Sequence, residues 1–112
     1  MSGESESTST VVEPEVKEET RTRRLPPYHV IILNDEDHTF DYVIEMLIKL
    51  FAHSVTRAKD LTWQIHSRGK AIVYTTHKEK AELKCEQVRS YGPDPRLGRS
   101  KCSLRCYIEP AE

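Results

Sequence analysis

Six consecutive polar residues, Asn34-Asp35-Glu36-Asp37-His38-Thr39, stand between two apolar segments and offer carbonyl, carboxylate and imidazole acceptors within one short stretch. Such a set could hold a cation, ligate a metal or move a proton. Asp35, Glu36, Asp37 and Asp41 supply carboxylates for a hard cation, but the glycine and distal glutamate of an EF-hand loop do not follow them. Cys85, Cys102 and Cys106, with five histidines, raise zinc; no C-x-x-C pair is present, and C-x-x-x-C alone is poor ligand spacing. The cysteines are read instead as reduced thiols of the core. An aspartate of the loop with His66 could be drawn as an acid/base pair, yet neither a nucleophile motif nor a phosphate-binding glycine loop accompanies it. The expectation is therefore no metal, no cofactor and no enzyme activity, and what remains is a cluster of acceptors.

The elements that must position those acceptors are legible on either side. Tyr28-His29-Val30-Ile31-Ile32-Leu33 is apolar with little alternation, which suits a strand placed centrally or covered on both faces. From Phe40 the period changes: Phe40, Val43, Ile44, Leu47, Ile48 and Phe51 form one helical stripe. Ala52 to Val55 reads as a connection, with Thr56 as cap of a second helix that buries Ala58, Leu61 and Ile65. Gly69 stands where a helix end needs positive φ, so that helix stops near Arg68.

Lys70 to Tyr74 is a β-branched run read as a strand. Thr76-His77-Lys78-Glu79 fits a capping box, and the third helix buries Ala81, Cys85 and Val88 before stopping at Tyr91-Gly92-Pro93. Asp94 to Lys101 is a loop, and Leu104 to Ile108 the last strand. The order β-α-α-β-α-β predicts an α+β domain of two layers, with three strands and the three helices on one side.

One domain with a modest core is all that 112 residues and 37% apolar composition allow. The formal net charge of -1 calls for neither nucleic acid nor an anionic membrane. No apolar run approaches the roughly 20 residues of a membrane span. The N-terminus shows no signal-peptide apolar region, so a cytoplasmic location is expected. Residues 1–24, rich in Ser, Thr and Glu, are read as a disordered tail, and residues 25–112 as the folded domain, entered through Pro26-Pro27.

The strand followed by LNDEDHTFDYVIEML resembles the ClpS family, adaptors that deliver N-degron substrates to a Clp AAA+ protease. The likeness continues through Ile65-His66-Ser67-Arg68-Gly69-Lys70-Ala71, Glu79-Lys80-Ala81-Glu82-Leu83-Lys84 and Ser103 to Glu109. It covers Leu25 to Pro110 in one order. The resemblance implies a ClpS-like domain whose three-stranded sheet is antiparallel.

It further implies that Asn34, Asp35 and His66 surround the α-amino group of a substrate's first residue. The chemistry is consistent: an ammonium has three N–H donors and one charge, and it needs convergent acceptors and a carboxylate. Ile32, Phe40, Val43, Thr62, Ile65 and Leu104 match positions that line the family's apolar pocket for a first side chain, usually Leu, Phe, Tyr or Trp. Phe40 and Thr62 each stand where Met is often found, and His38-Thr39 replaces a frequent Thr-Pro, which bears on which terminal residues fit.

Glu79 and Lys84 match positions used to dock on the N-terminal domain of the Clp unfoldase; the plainer reading is a solvated helix face. For Phe40, Val43 and Ile65 the plainer reading is core packing. The expected function is a monomeric adaptor presenting proteins with a free bulky N-terminal residue to that unfoldase. The alternative is a ClpS-like peptide-binding module that serves another partner.

Overall fold

The structure, a computed structural model, describes residues 25–112; the expected tail, residues 1–24, lies outside the described residues. In chain order the elements are β1 (Tyr28–Leu33), α1 (Phe40–Phe51), α2 (Val55–Arg68), β2 (Lys70–Thr76), α3 (Lys78–Arg89) and β3 (Cys106–Pro110). The sheet order is β2-β1-β3, and both outer strands run antiparallel to β1. The central place of β1 accounts for its apolar run: Val30, Ile31 and Ile32 are all buried.

Alternation still separates their roles. Val30 and Ile32 join one cluster with Ala71 and Val73 of β2, Cys106 of β3 and the buried residues of all three helices. Ile31 stands opposite Ile72 on one side and Tyr107 on the other. A bulge between the Val30 and Ile31 registers leaves Val73 as an extra residue in β2.

The helices bury most of the stripes that periodicity indicates, with Tyr42, Met46 and Thr62 added, Ile44 and Ile48 half-buried and Phe40 exposed. In α1, Tyr42 and Met46 join Val43, Leu47 and Phe51 in the core, while Phe40 is 43% exposed. In α2 the buried set is Ala58, Leu61, Thr62 and Ile65. In α3 it is Ala81, Cys85 and Val88.

Three element boundaries differ from expectation. The second helix is capped by Ser54, whose side chain accepts the Arg57 N–H at 3.1 Å, so Thr56 falls within the first turn. The capping box at Thr76 does not form, because Thr76 stays in β2 opposite Tyr28 and His77 takes the N-cap position without a side-chain bond. The last strand starts at Cys106 rather than Leu104; the chain arrives beside β1 at Arg105, whose carbonyl accepts the Leu33 N–H at 3.1 Å. Of the three thiols, Cys85 and Cys106 are buried as expected, but Cys102 lies on the connecting loop and is exposed.

Candidate functional site

The acidic loop is held from both ends. Thr39 is the N-cap of α1: its hydroxyl accepts the Tyr42 N–H and donates to Asp94 Oδ2 at 2.7 Å, an oxygen that also receives the Thr39 N–H at 2.7 Å. Asp94 Oδ1 takes the Arg96 N–H at 2.9 Å and lies 3.4 Å from the Arg96 guanidinium. Burial alone would raise the Asp94 carboxyl; the donors of Thr39 and Arg96 outweigh it and bring it down to about 2. From the same loop Arg99 donates to the Asp37 carboxylate at 3.1 Å and to the Glu36 carbonyl at 2.6 Å. The segment between α3 and β3 is thereby clamped onto the β1–α1 loop.

At the other edge, Gly69 builds the junction that brings His66 to the loop. Its φ of +88° closes α2, its N–H reaches the Ile65 carbonyl at 2.9 Å, and its carbonyl accepts the Asn34 N–H at 2.9 Å. The Asn34 carbonyl in turn receives Arg105 at 3.2 Å. With its backbone fixed between α2 and the run into β3, Asn34 holds its side-chain amide beside the end of α2.

These constraints gather Asn34, Asp35, Phe40, Val43, Thr62, Ile65, His66 and Leu104 around a single cavity of about 90 Å³. That is several times the ~10–15 Å³ that one water requires. Ile32 is the exception among the expected pocket residues: it is fully buried in the core behind the cavity and does not line it. Glu36 and His38 also line it, although neither was among the residues expected to do so. Loop closure rather than any sequence period places them there.

The cavity has a polar wall and an apolar wall. Asn34, Asp35 and His66 contribute acceptors; Val43, Ile65 and Leu104 contribute buried aliphatic surface. Thr62 behaves as part of the apolar wall, since its hydroxyl donates to the Ala58 carbonyl at 2.7 Å and is thereby satisfied within the helix. Phe40 stands at the mouth, edge-on to the rings of His66 at 5.1 Å and Trp63 at 6.3 Å. Plain core packing therefore describes Val43 and Ile65 in part, and Phe40 not at all. Among the described residues no cluster of three or more potential ligands for a metal ion is found.

The two residues expected to dock a partner lie elsewhere and differ from each other. Glu79 is exposed and lines a groove of about 520 Å³ with Leu25, Tyr28, His77 and Glu82. Lys84, five residues on, projects about 140° around the helix from it. Its ammonium is bonded to the Leu50 carbonyl.

Known proteins share this architecture. The family model for the ATP-dependent Clp protease adaptor protein ClpS matches residues 23–96. An ATP-dependent Clp protease adapter protein ClpS from Nostoc sp. is 41% identical over 87 residues, covering 77% of this chain and 90% of that protein. Its Vibrio cholerae namesake is 39% identical over 95 residues, 85% of each chain. Among solved structures, Agrobacterium tumefaciens ClpS2 bound to L-phenylalaninamide matches with a TM-score of 0.65 at 25% identity, covering 76% of this chain and 96% of that one. No helix among the described residues is long and apolar enough to cross a membrane. The length of the match and the identity to these relatives agree: this chain belongs to the ClpS family of Clp protease adaptors, which are not enzymes.

Proposed function

We propose that this adaptor recognises a protein by its first residue, receiving a free α-amino group at Asn34, Asp35 and His66 and a bulky apolar side chain in the adjoining cavity. One observation carries the reading: acceptors and apolar side chains from the β1–α1 loop, α1, α2 and the run into β3 converge on one cavity. An α-ammonium requires three acceptors and a compensating charge, while the side chain beside it requires a dry wall. The ligand of the Agrobacterium tumefaciens neighbour, L-phenylalaninamide, has this form, a free amino group next to an aromatic side chain.

Substrates are then proteins starting with Leu, Phe, Tyr or Trp, handed to a Clp unfoldase through its N-terminal domain. Glu79 is the better candidate for that contact, because it is exposed on an open groove while the Lys84 ammonium is occupied. Residues 1–24 should be dispensable for peptide binding, and a monomer in the cytoplasm completes the proposal.

Fluorescence polarisation against peptides that differ only in their first residue, each with a free and an acetylated terminus, tests it. Acetylation removes the charge and two donors, so acetylated peptides should bind at least tenfold more weakly. Equal affinity of the two forms would overturn the reading.

A further inference from the structure

His38 lines the cavity, yet its side chain is only 2% exposed. Nε2 lies 2.7 Å from the carbonyl oxygen of Cys102, and Nδ1 faces Oδ1 of Asp35. A carbonyl can only accept, so Nε2 faces it as the donor, while Nδ1 is turned to the Asp35 carboxylate. The ring thus bridges two oxygens, one on each loop. The Tyr42 ring lies against it, centroids 4.7 Å apart.

Two of the other carboxylates nearby have partners of their own, while Glu36, which also lines the cavity, is exposed. Asp37 is paired with Arg99, and Asp94 is taken up by Thr39 and Arg96. The Cys102 thiol is exposed. Asp35 Oδ1 receives a second donor, the Asp37 N–H, at 2.9 Å. Two donors on the same oxygen fix the plane of the carboxylate and leave Oδ2 for a ligand.

We propose that His38 is a positioning residue for the amino-group site, holding Asp35 between the β1–α1 loop and the Cys102 carbonyl so that Oδ2 meets the incoming ammonium. This rests on the amino-terminal reading above. His38 also links the two loops that the Asp94 clamp joins, so the carboxylate and the run leading to Leu104 move as one unit. Removing the ring leaves Oδ1 with the Asp37 amide alone, and Asp35 becomes free to turn toward water.

Three variants of the full chain test it: His38→Ala, Asp35→Asn and the double variant, titrated with a peptide that starts with Phe and with its acetylated form. His38→Ala should weaken the free-amino peptide by about tenfold, the scale of one charge-assisted hydrogen bond. In the Asp35→Asn background the same change should cost less than about twofold, because a residue acting through Asp35 has nothing left to position. Losses that multiply in the double variant would mark a general structural effect and overturn the proposal. Nitrogen-15 spectra of the His38 ring supply a readout independent of peptide: the Nδ1 signal should move in Asp35→Asn, while the Nε2 signal, on the Cys102 carbonyl, stays in place. An Nδ1 signal unchanged in Asp35→Asn would overturn the contact. If the wild type fails to prefer the free amino group, the amino-terminal reading falls and the positioning role with it. If it does prefer it while His38→Ala binds normally, the positioning role alone falls.

Discussion

Lys84 of α3 reaches across to the end of α1, where its ammonium bonds the Leu50 carbonyl and lies 5.7 Å from the centre of the Phe51 ring. A cation at a helix C-terminus satisfies an orphan carbonyl and opposes the negative end of the dipole. Removing it touches the fold as well as any docking surface. Lys84→Ala should lower stability by about 1 kcal/mol, and Lys84→Met by less, since it keeps the apolar stem against Phe51. Glu79→Ala should change stability by less than about 0.5 kcal/mol. Urea unfolding of the three variants checks this. A Lys84→Ala midpoint equal to wild type would show that the bond to Leu50 contributes nothing, and loss of unfoldase binding in that variant could then be read as loss of contact.

Asp94 makes stability depend on acid. Its carboxyl is lowered from the ordinary 3.8 to about 2, so between those values the unfolded chain binds a proton that the folded chain does not. The stabilisation is therefore complete above about pH 4 and is lost as pH falls toward 2. Asp94→Asn should flatten that part of the profile. Asp94→Ala, which strips the partners from the Thr39 amide and hydroxyl, should cost about 2–3 kcal/mol at neutral pH. Urea midpoints recorded from pH 5 to pH 2 distinguish the cases; parallel curves for wild type and Asp94→Asn would refute the assignment.

The thiols should divide by burial. Burial pushes the Cys106 thiol well above its ordinary range, and its contact with Cys85 acts in the same direction, while Cys102 is exposed. Iodoacetamide at pH 8 should label Cys102 alone in the folded protein and all three cysteines in urea. Rapid labelling of Cys106 under native conditions would show that the β3 edge opens.

Most of the framework was legible because it is periodic. The α1 stripe, the Gly69 stop and the apolar run of β1 each follow from local rules, while the antiparallel sheet was implied by the likeness to a known family. Helix starts were less legible: Ser54 and Thr56 are both competent caps, and Thr76 is a better capping residue than His77 but is held in β2 opposite Tyr28. In the site, the likeness to a known family placed Asn34, Asp35 and His66. The His38 contact to Cys102 spans 64 residues and the Asp94 contact to Thr39 spans 55, and no sequence spacing announces either. Ile32 was misplaced for the converse reason, since a central strand residue beside a pocket and one lining it look alike in sequence.

Phe40 sets the final expectation, which concerns the shape of the side chain admitted. Its ring stands at the cavity mouth and is braced edge-on by His66 and Trp63, so it cannot yield as an unbranched side chain would. A β-branched first residue carries its bulk next to the α-carbon, nearest that mouth. Leu-initiated peptides should therefore bind better than Ile-initiated ones by about 1–3 kcal/mol, the usual worth of a misplaced methylene in an apolar pocket. Phe40→Met should narrow the gap by improving Ile more than Leu. His66→Ala should weaken both by about 1.5–3 kcal/mol through loss of an acceptor for the ammonium, and should narrow the gap as well, because the ring loses one of its braces. Fluorescence polarisation with the two peptides on wild type and both variants measures all four differences. Comparable wild-type affinities for Leu and Ile, or a gap unchanged in Phe40→Met, would show that the selecting surface lies deeper, at Thr62 and Leu104.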